Sequence, residues 1–412
     1  MTNEVLQKTA SDEQNISSSN GLEPSLRFKN FTKKWNSISL KEIGTFQKGA
    51  PLSKADISQE GNPFILYGEL YTTYSEVTYN VFRKTNKKVD KIYFSNVGDV
   101  ILPTSGETPE EIATATCIMI PDVILAGDLY IFRQNKIDGR ILSYIINHTV
   151  NGKISRIAQG KSVVHVLSEE LGKIIINYPT NDEQQKIADF LSLIDQRIEK
   201  QRQLVESLKK YKRGLFLKLY NDSDKSIISF KNIYEMASEG GTPSTSDSEN
   251  YENGKIPFIK IDDLNQHYLN FAKYFITEKG LKKSSAWIVP ENSIIYSNGA
   301  TIGACSINKI PVTTKQGILG IVPKSNFSVE FLYFLFTSSI FKQKIRAITT
   351  KGTMDSAYLK DINGIKISIP DFIAQQKIAK IMVDFENLIE RTELSFIYLQ
   401  NIKKALLQQM FI

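Results

Sequence analysis

Apolar residues recur at alternating steps of three and four along two stretches of this chain. In the first they are Ile187, Leu191, Ile194, Ile198, Val205, Leu208, Leu215 and Leu219; in the second they are Ile378, Met382, Phe385, Ile389, Phe396, Leu399, Leu406 and Met410. That spacing predicts two long helices with coiled-coil seams. Each second-seam position lies 191 residues beyond its counterpart, and both seams break at a matched place, Gln201 and Thr392. About 40 residues at roughly 1.5 Å each give rods of about 60 Å. A stripe that long needs a partner, and the other helix supplies one. Two repeats related by a two-fold axis would set the helices antiparallel, with the axis between Gln201 and Thr392, where a polar pair fixes register. The alternative is two helices packed separately on their own domains.

The segments entering the helices repeat as well. Lys173-Ile174-Ile175-Ile176-Asn177-Tyr178 and Ile365-Lys366-Ile367-Ser368-Ile369 read as strands closed by Pro179 and Pro370. Asp182-Glu183-Gln184-Gln185-Lys186-Ile187-Ala188 then returns as Ile373-Ala374-Gln375-Gln376-Lys377-Ile378-Ala379. Ahead of each lies a region of short strand signals bounded by Gly, Pro and Asp, with matching order: Pro63-Phe64-Ile65 with Pro257-Phe258-Ile259, Val100 to Thr108 with Ser293 to Thr301, and Ile141 to Ile146 with Phe331 to Phe336. A period this long repeats a whole domain plus helix. The expected architecture is α+β: two mixed, strand-rich globular domains (26–180 and 226–370) joined by two long antiparallel coiled-coil helices (181–225 with its linker, and 371–412) in a pseudo-two-fold internal repeat. Residues 1–25, rich in Ser, Asn, Gln and Glu, read as a disordered tail.

Composition adds little to this picture. The 412 residues are 41% hydrophobic and 23% charged, as in ordinary globular proteins, and carry a formal net charge of +7, compatible with a polyanion partner without demanding one. Cys117 and Cys305 fall one per half, which suits a reduced, cytoplasmic protein without disulfides. No apolar run reaches membrane-span length, and no membrane partner is expected.

Candidate catalytic chemistry is absent from the pattern. His148, His165 and His267 are scattered, without a carboxylate or cysteine at ligand spacing, so neither a metal site nor a catalytic site is expected. There is no phosphate-binding Gly-rich loop, no nucleophile–base pairing, and no Asn-Pro-Pro-Tyr or Asp-Pro-Pro-Tyr tetrad. Adjacent acids such as Asp262-Asp263 read as solvated turn residues.

Strand, proline, Glu-Gln-Gln-Lys-Ile-Ala and long helix, with the same order returning in the second half, resemble the specificity subunits of type I restriction–modification enzymes. The resemblance runs from about residue 26 to the end. Gly240-Gly241-Thr242-Pro243, Lys260-Ile261-Asp262-Asp263 and, in the first half, Tyr67-Gly68-Glu69 are similar to patterns of the family's target recognition domains. The second copy departs from the motif at Ala374, where the first has Glu183; loss of a capping or helix-dipole contribution is expected there. The resemblance implies two target recognition domains reading a bipartite, asymmetric site in double-stranded DNA. It also implies helices that dock two methyltransferase (modification) subunits and, through them, two restriction (translocase–endonuclease) subunits. This chain would bind no cofactor; S-adenosylmethionine, ATP and Mg²⁺ would belong to the partners. Two alternatives stay open: the specificity part of a related fused restriction–methylation system, and a coiled-coil adaptor that binds no DNA.

Under the family reading, Lys48, Lys54, Arg83, Lys84 and Lys87 in the first half and Lys260, Lys315 and Lys351 in the second are candidate phosphate contacts. Candidate base readers form three loop groups: Tyr67, Glu69, Tyr71, Thr72 and Tyr74; Ser105, Glu107 and Thr108 with counterparts Asn298 and Thr301; and the Gly-containing turns with Lys161, Ser162, Thr353 and Met354. Gly241, Thr242, Asp262 and Gln316 complete the DNA-binding set. Two readings are open for Ser105-Gly106 and Asn298-Gly299, hairpin turn or recognition loop, and two for Tyr71 and Tyr74, recognition or packing. Recognition domains on antiparallel rods would face one side of a duplex about 34 Å apart.

Overall fold

A computed structural model describes residues 23–411 apart from Lys161, Asn265, Ala300 and 351–354. It divides into two compact units, one running to Lys200 and including the stretch from Phe396, the other Gln201–Ser395. The division falls inside both long helices, Asn181–Asn221 and Phe372–Met410, so each unit holds one strand-rich domain, part of the helix that follows it, and part of the other helix.

In the first unit a five-stranded sheet has the order Gly44–Lys48, Leu129–Gln134, Asp99–Pro103, Thr116–Ile118, Val77–Thr78. A three-stranded sheet has Asn62–Leu66 between Arg83–Thr85 and Ile124–Ala126. The central strand Asp99–Pro103 is buried along its length, and its period-2 alternation serves both faces: Val100 and Leu102 join one core, Ile101 another. The first of these cores also takes in the helix Gly139–Ile145, which runs without a break into a π-helical turn, Ile146–Val150.

The second unit repeats that plan. Its five strands follow the corresponding order, Tyr234–Glu239, Ile318–Pro323, Ile294–Ser297, Cys305–Asn308, Tyr268–Leu269, and Ile256–Ile259 lies between Tyr274–Ile276 and Thr313–Thr314. Ile294 and Tyr296 face one core and Ile295 the other. Cys117 and Cys305 are buried free thiols in different units, raised above their ordinary pKa by burial.

The strand before each long helix pairs antiparallel with the first strand of its unit, Asn36–Ser39 with Ile175–Tyr178 and Lys225–Ser229 with Lys366–Pro370. The repeated glutamine then fastens the helix start. Gln184 accepts from the Asp138 backbone N–H at 2.7 Å and donates to the Pro179 carbonyl at 2.9 Å. Gln375 accepts from the Ser328 N–H at 2.9 Å and donates to the Pro370 carbonyl at 2.9 Å. Both are 2% exposed, and each serves a donor at the entrance of the unit's buried helix, so the motif is a structural clamp.

Glu183 has a second role beside the expected one at the helix start. Its carboxylate is buried in the first turn of the helix and takes two hydrogen bonds from Arg27, each 2.7 Å, so it also ties the chain's N-terminal approach to the helix. In the second copy Asp371 caps the helix by accepting from the Ala374 N–H at 2.8 Å. The expected tail also stops short of residue 25: Pro24 is buried and Ser25 donates to the Gln409 carbonyl at 3.1 Å, while residues 1–22 lie outside the described residues.

The helices run antiparallel within each unit. In the first, Asp195 meets Lys403 at 2.7 Å, and Ile187 and Leu191 share a core with Leu407, Met410 and Phe411. In the second, Gln201 meets Thr392, Lys212 meets Glu386, and Phe216 shares a core with Ile378 and Met382. Val205, Ile389 and Thr392 are buried, and Ile194, Ile198, Leu208, Phe385, Phe396 and Leu399 half-buried. All apolar seam positions turn away from water.

Candidate nucleic-acid interface

The first unit carries an open groove of about 1040 Å³ that gathers residues from five separate segments. Lys48 ends the strand Gly44–Lys48 and Lys54 opens the 3-10 turn that follows it, Tyr67, Glu69, Tyr71 and Thr72 come from the turn after Asn62–Leu66, Arg83 from the neighbouring strand, and Glu107 from the segment before a short helix. Eight sequence candidates thus share one concavity. Lys48, Lys54, Thr72 and Glu107 are exposed, and Tyr67 and Tyr71 half-buried on its wall. Burial, before the nearby Glu111 carboxylate, raises the Tyr71 phenol. Gly127 and Asp128 also line the groove and were not among the candidates; Gly127 sits at φ +78, and a Cβ there would lie 3.3 Å from Leu66 and Tyr67 atoms. Only the Gly-Asp turn signal could have marked them.

Other candidates are structural. Tyr74 belongs to the core and stacks on Phe82, with burial pushing its phenol up to about 12. Ser105 is buried in a two-residue strand paired with Val164–His165 and donates to Asp128 at 3.0 Å, so Ser105-Gly106 is neither a hairpin turn nor an exposed reader. Thr108 is exposed and caps the Pro109–Ile112 helix. Glu69 is buried: Oε2 accepts from the Leu66 N–H at 3.0 Å and Oε1 from Arg83 Nε at 2.7 Å, so both oxygens are engaged within the domain. Lys84 and Lys87 are exposed, Lys87 lying 3.5 Å from Asp56. Ser162 is exposed, and Lys161 lies outside the described residues.

In the second unit the Gly240-Gly241-Thr242-Pro243 motif is a packing device. A Cβ on Gly241 would fall 2.4 Å from the Ala286 nitrogen, so this buried glycine allows close backbone approach. Thr242 is exposed and accepts from the Gln316 N–H at 3.3 Å, which places Thr242, Lys315 and Gln316 together on the surface. Lys260 is half-buried, with its ammonium 3.4 Å from the Tyr274 ring centroid. Asp262 is exposed, whereas Asp263 is buried and accepts from the Lys260 N–H at 2.9 Å, against the expectation of two solvated acids. Asn298 is buried, its amide donating to the Ala357 carbonyl at 3.2 Å, so it too is no surface reader, while Thr301 is exposed. Lys351, Thr353 and Met354 lie outside the described residues.

Two histidines gain carboxylate neighbours that the sequence keeps far away. His148 Nε2 is 2.7 Å from Glu76 Oε1, and Lys403 bridges Glu76 and Asp195 at 2.7 Å each. Burial opposes the Glu76 charge, but the His148 hydrogen bond and the Lys403 ammonium prevail and hold its pKa at about 2. At the matched positions in the second unit, Glu386 pairs with Lys212 and with His267, whose ring lies between Tyr268 and Tyr333 with centroids 4.0 and 3.9 Å away. These clusters join helix to domain, and no group that could hold a metal ion occurs among the described residues.

The family model described as "Type I restriction modification DNA specificity domain" matches twice, over residues 32–210 and 223–397. Among curated relatives, the MjaIX type I restriction enzyme specificity subunit of Methanocaldococcus jannaschii is 33% identical over 192 residues, 46% of this chain and 44% of that one. The HindI specificity subunit of Haemophilus influenzae is 30% identical over 163 residues, 38% of this chain and 35% of that one. Either match spans less than half of the relative's own length. Among solved structures, the type I restriction–modification S subunit from M. genitalium has a TM-score of 0.57 at 18% identity, covering 95% of this chain and 99% of that one, which shows a shared fold. With both halves matched by one model over most of the sequence, the chain belongs to the type I restriction–modification DNA specificity domain family.

Proposed function

We propose that this chain is the DNA-specificity subunit of a type I restriction–modification complex. Its two recognition domains, 26–180 and 226–370, each read one block of a bipartite, asymmetric site in duplex DNA. The long helices set the spacing and dock two methyltransferase subunits, through which two restriction subunits join. The chain itself performs no chemistry; S-adenosylmethionine, ATP and Mg²⁺ are bound by the partners, and the assembly works in the cytoplasm.

The observation that carries this reading is the doubled specificity domain, one strand order used twice with different side chains on its loops. A shared frame with divergent surfaces suits two readers of unlike sequences. Exposed lysines such as Lys48 and Lys54 beside half-buried Tyr67 and Tyr71 suit a groove in which backbone contacts give salt-dependent affinity and neighbouring side chains give discrimination.

The test is to exchange residues 226–369 for the same region of another specificity subunit and map methylated sites in cells that supply the modification subunit. One block of the target should change and the other persist. Change in both blocks, or in neither, rejects the two-reader model. Methylation by the purified chain with S-adenosylmethionine alone would reject the non-catalytic role.

A further inference from the structure

The three-stranded sheets of the two units share one register. Phe64 faces Arg83 in the first, and Phe258 faces Tyr274 in the second. Each middle strand leads into a single 3-10 turn, Tyr67–Glu69 or Ile261–Asp263, whose third residue is a buried acid accepting from the backbone N–H three residues before it. The frame is the same, yet the side chain presented beside the acid differs. In the first unit Arg83 Nε donates to Glu69 at 2.7 Å; in the second, Tyr274 carries the Lys260 ammonium over its ring. A position that changes chemistry on a constant frame is where two readers of different sequences should differ.

Arg83 has the form of a directed donor. Its side chain is 39% exposed on the groove, and its terminal nitrogens have no hydrogen-bond partner among the described residues. The Glu69 bond to Nε restrains the guanidinium and leaves its outer edge free, which lowers the freedom to be lost on binding. The adjacent carboxylate also cancels the pair's net charge, which weakens attraction to phosphate but leaves geometrically directed N–H groups. Two such groups from one arginine match O6 and N7 of guanine in the major groove.

We propose that Arg83 reads a guanine in the block recognised by the first domain, with Glu69 as its positioning residue. The proposal rests on the DNA-specificity reading above. Its test uses the full chain with its modification subunit, maps methylated sites, and assigns the first domain's block by the domain exchange already described. In Arg83→Gln and Arg83→Lys, preference for G·C at one position of that block should fall by about 10- to 100-fold, with the other block intact. Glu69→Gln should relax the same position, an effect that a merely structural role would not produce. Lys54→Gln should lower methylation without changing the motif.

A first-domain block without any G·C pair overturns the Arg83 assignment while leaving the two-reader model standing. So does an unaltered motif with evenly reduced methylation in both arginine variants, which is the signature of a phosphate contact. Loss of all methylation by both variants at an unchanged melting temperature also overturns it, because a single base contact does not account for the whole activity. If Arg83→Gln does not fold, Arg83→Lys, which keeps the pair with Glu69, decides the matter. A wild-type chain that directs no sequence-selective methylation at all rejects the underlying DNA-specificity reading instead.

Discussion

Gln201 Nε2 donates to the backbone carbonyl of Thr392 over 3.1 Å, at a matched break in both apolar seams. The Thr392 hydroxyl turns away and donates to the Leu388 carbonyl in its own helix at 2.7 Å. Within this pair the bond between helices is one side chain on one main-chain oxygen, and it stands beside the ion pairs Lys212–Glu386 and Asp195–Lys403, which also join the helices. Gln201→Leu should raise stability by about 1 kcal/mol through added apolar burial, while Thr392→Val, which leaves that carbonyl in place, should be close to neutral. Urea unfolding at constant slope reads both, and a lowered midpoint for Gln201→Leu would contradict this account.

The glutamine clamps predict matched and separable losses. Gln184→Ala strands the Asp138 N–H, and Gln375→Ala strands the Ser328 N–H, each costing about 1–3 kcal/mol. The two lie in different units and share no partner, so the double variant should lose the sum within about 0.5 kcal/mol. Denaturant melts that show one variant near wild type would mean the repeated motif is not a clamp in that half.

Arg27 and Glu183 should behave asymmetrically. Arg27→Ala leaves a carboxylate that is 0% exposed without its cation, which costs about 3–5 kcal/mol. Adding Glu183→Ala to that variant should recover much of the loss, since the second helix already starts with Ala374 at the matched position. A thermal melt of the double variant that falls below Arg27→Ala alone would overturn the prediction.

Acid should loosen the first unit through Glu76. Its carboxyl lies well below the ordinary 4.5, at about 2, so the folded state favours the charged form. The stabilisation is present above pH 4.5 and is lost as pH falls towards 2, amounting to about 3 kcal/mol at most. Glu76→Gln should be less stable at neutral pH and flatter across that window. Melting temperatures recorded from pH 7 to pH 2 test this, and parallel curves for the two proteins would refute it. The same logic applies to Glu386, lowered by His267 and Lys212 against the effect of burial.

The exposed face of the groove is partly legible in the residue pattern alone. Lys48, Lys54, Tyr71 and Thr72 lie in polar, turn-forming stretches, and they meet in the groove. Ser105 and Asn298 carry the same turn signals, yet strand pairing and backbone hydrogen bonds bury them. Gly241 resembles a loop glycine and proves to be a close-packing position. Local composition does not distinguish a polar side chain that faces water from one that satisfies a buried backbone group.

The long helices, their seams, a matched polar break and the doubled plan are legible in residue order alone, because they depend on periodicity and a fixed offset, which are properties of neighbours along the chain. Tertiary structure decided what faces what: that Gln184 and Gln375 hold buried helix entrances, that Lys403 reaches Glu76, and that Arg83 stands free on Glu69. Those pairings join segments separated by 14 to 327 residues. Their partners are selected by which chains the folded sheets bring within about 3 Å, and periodicity along the chain carries no record of that choice.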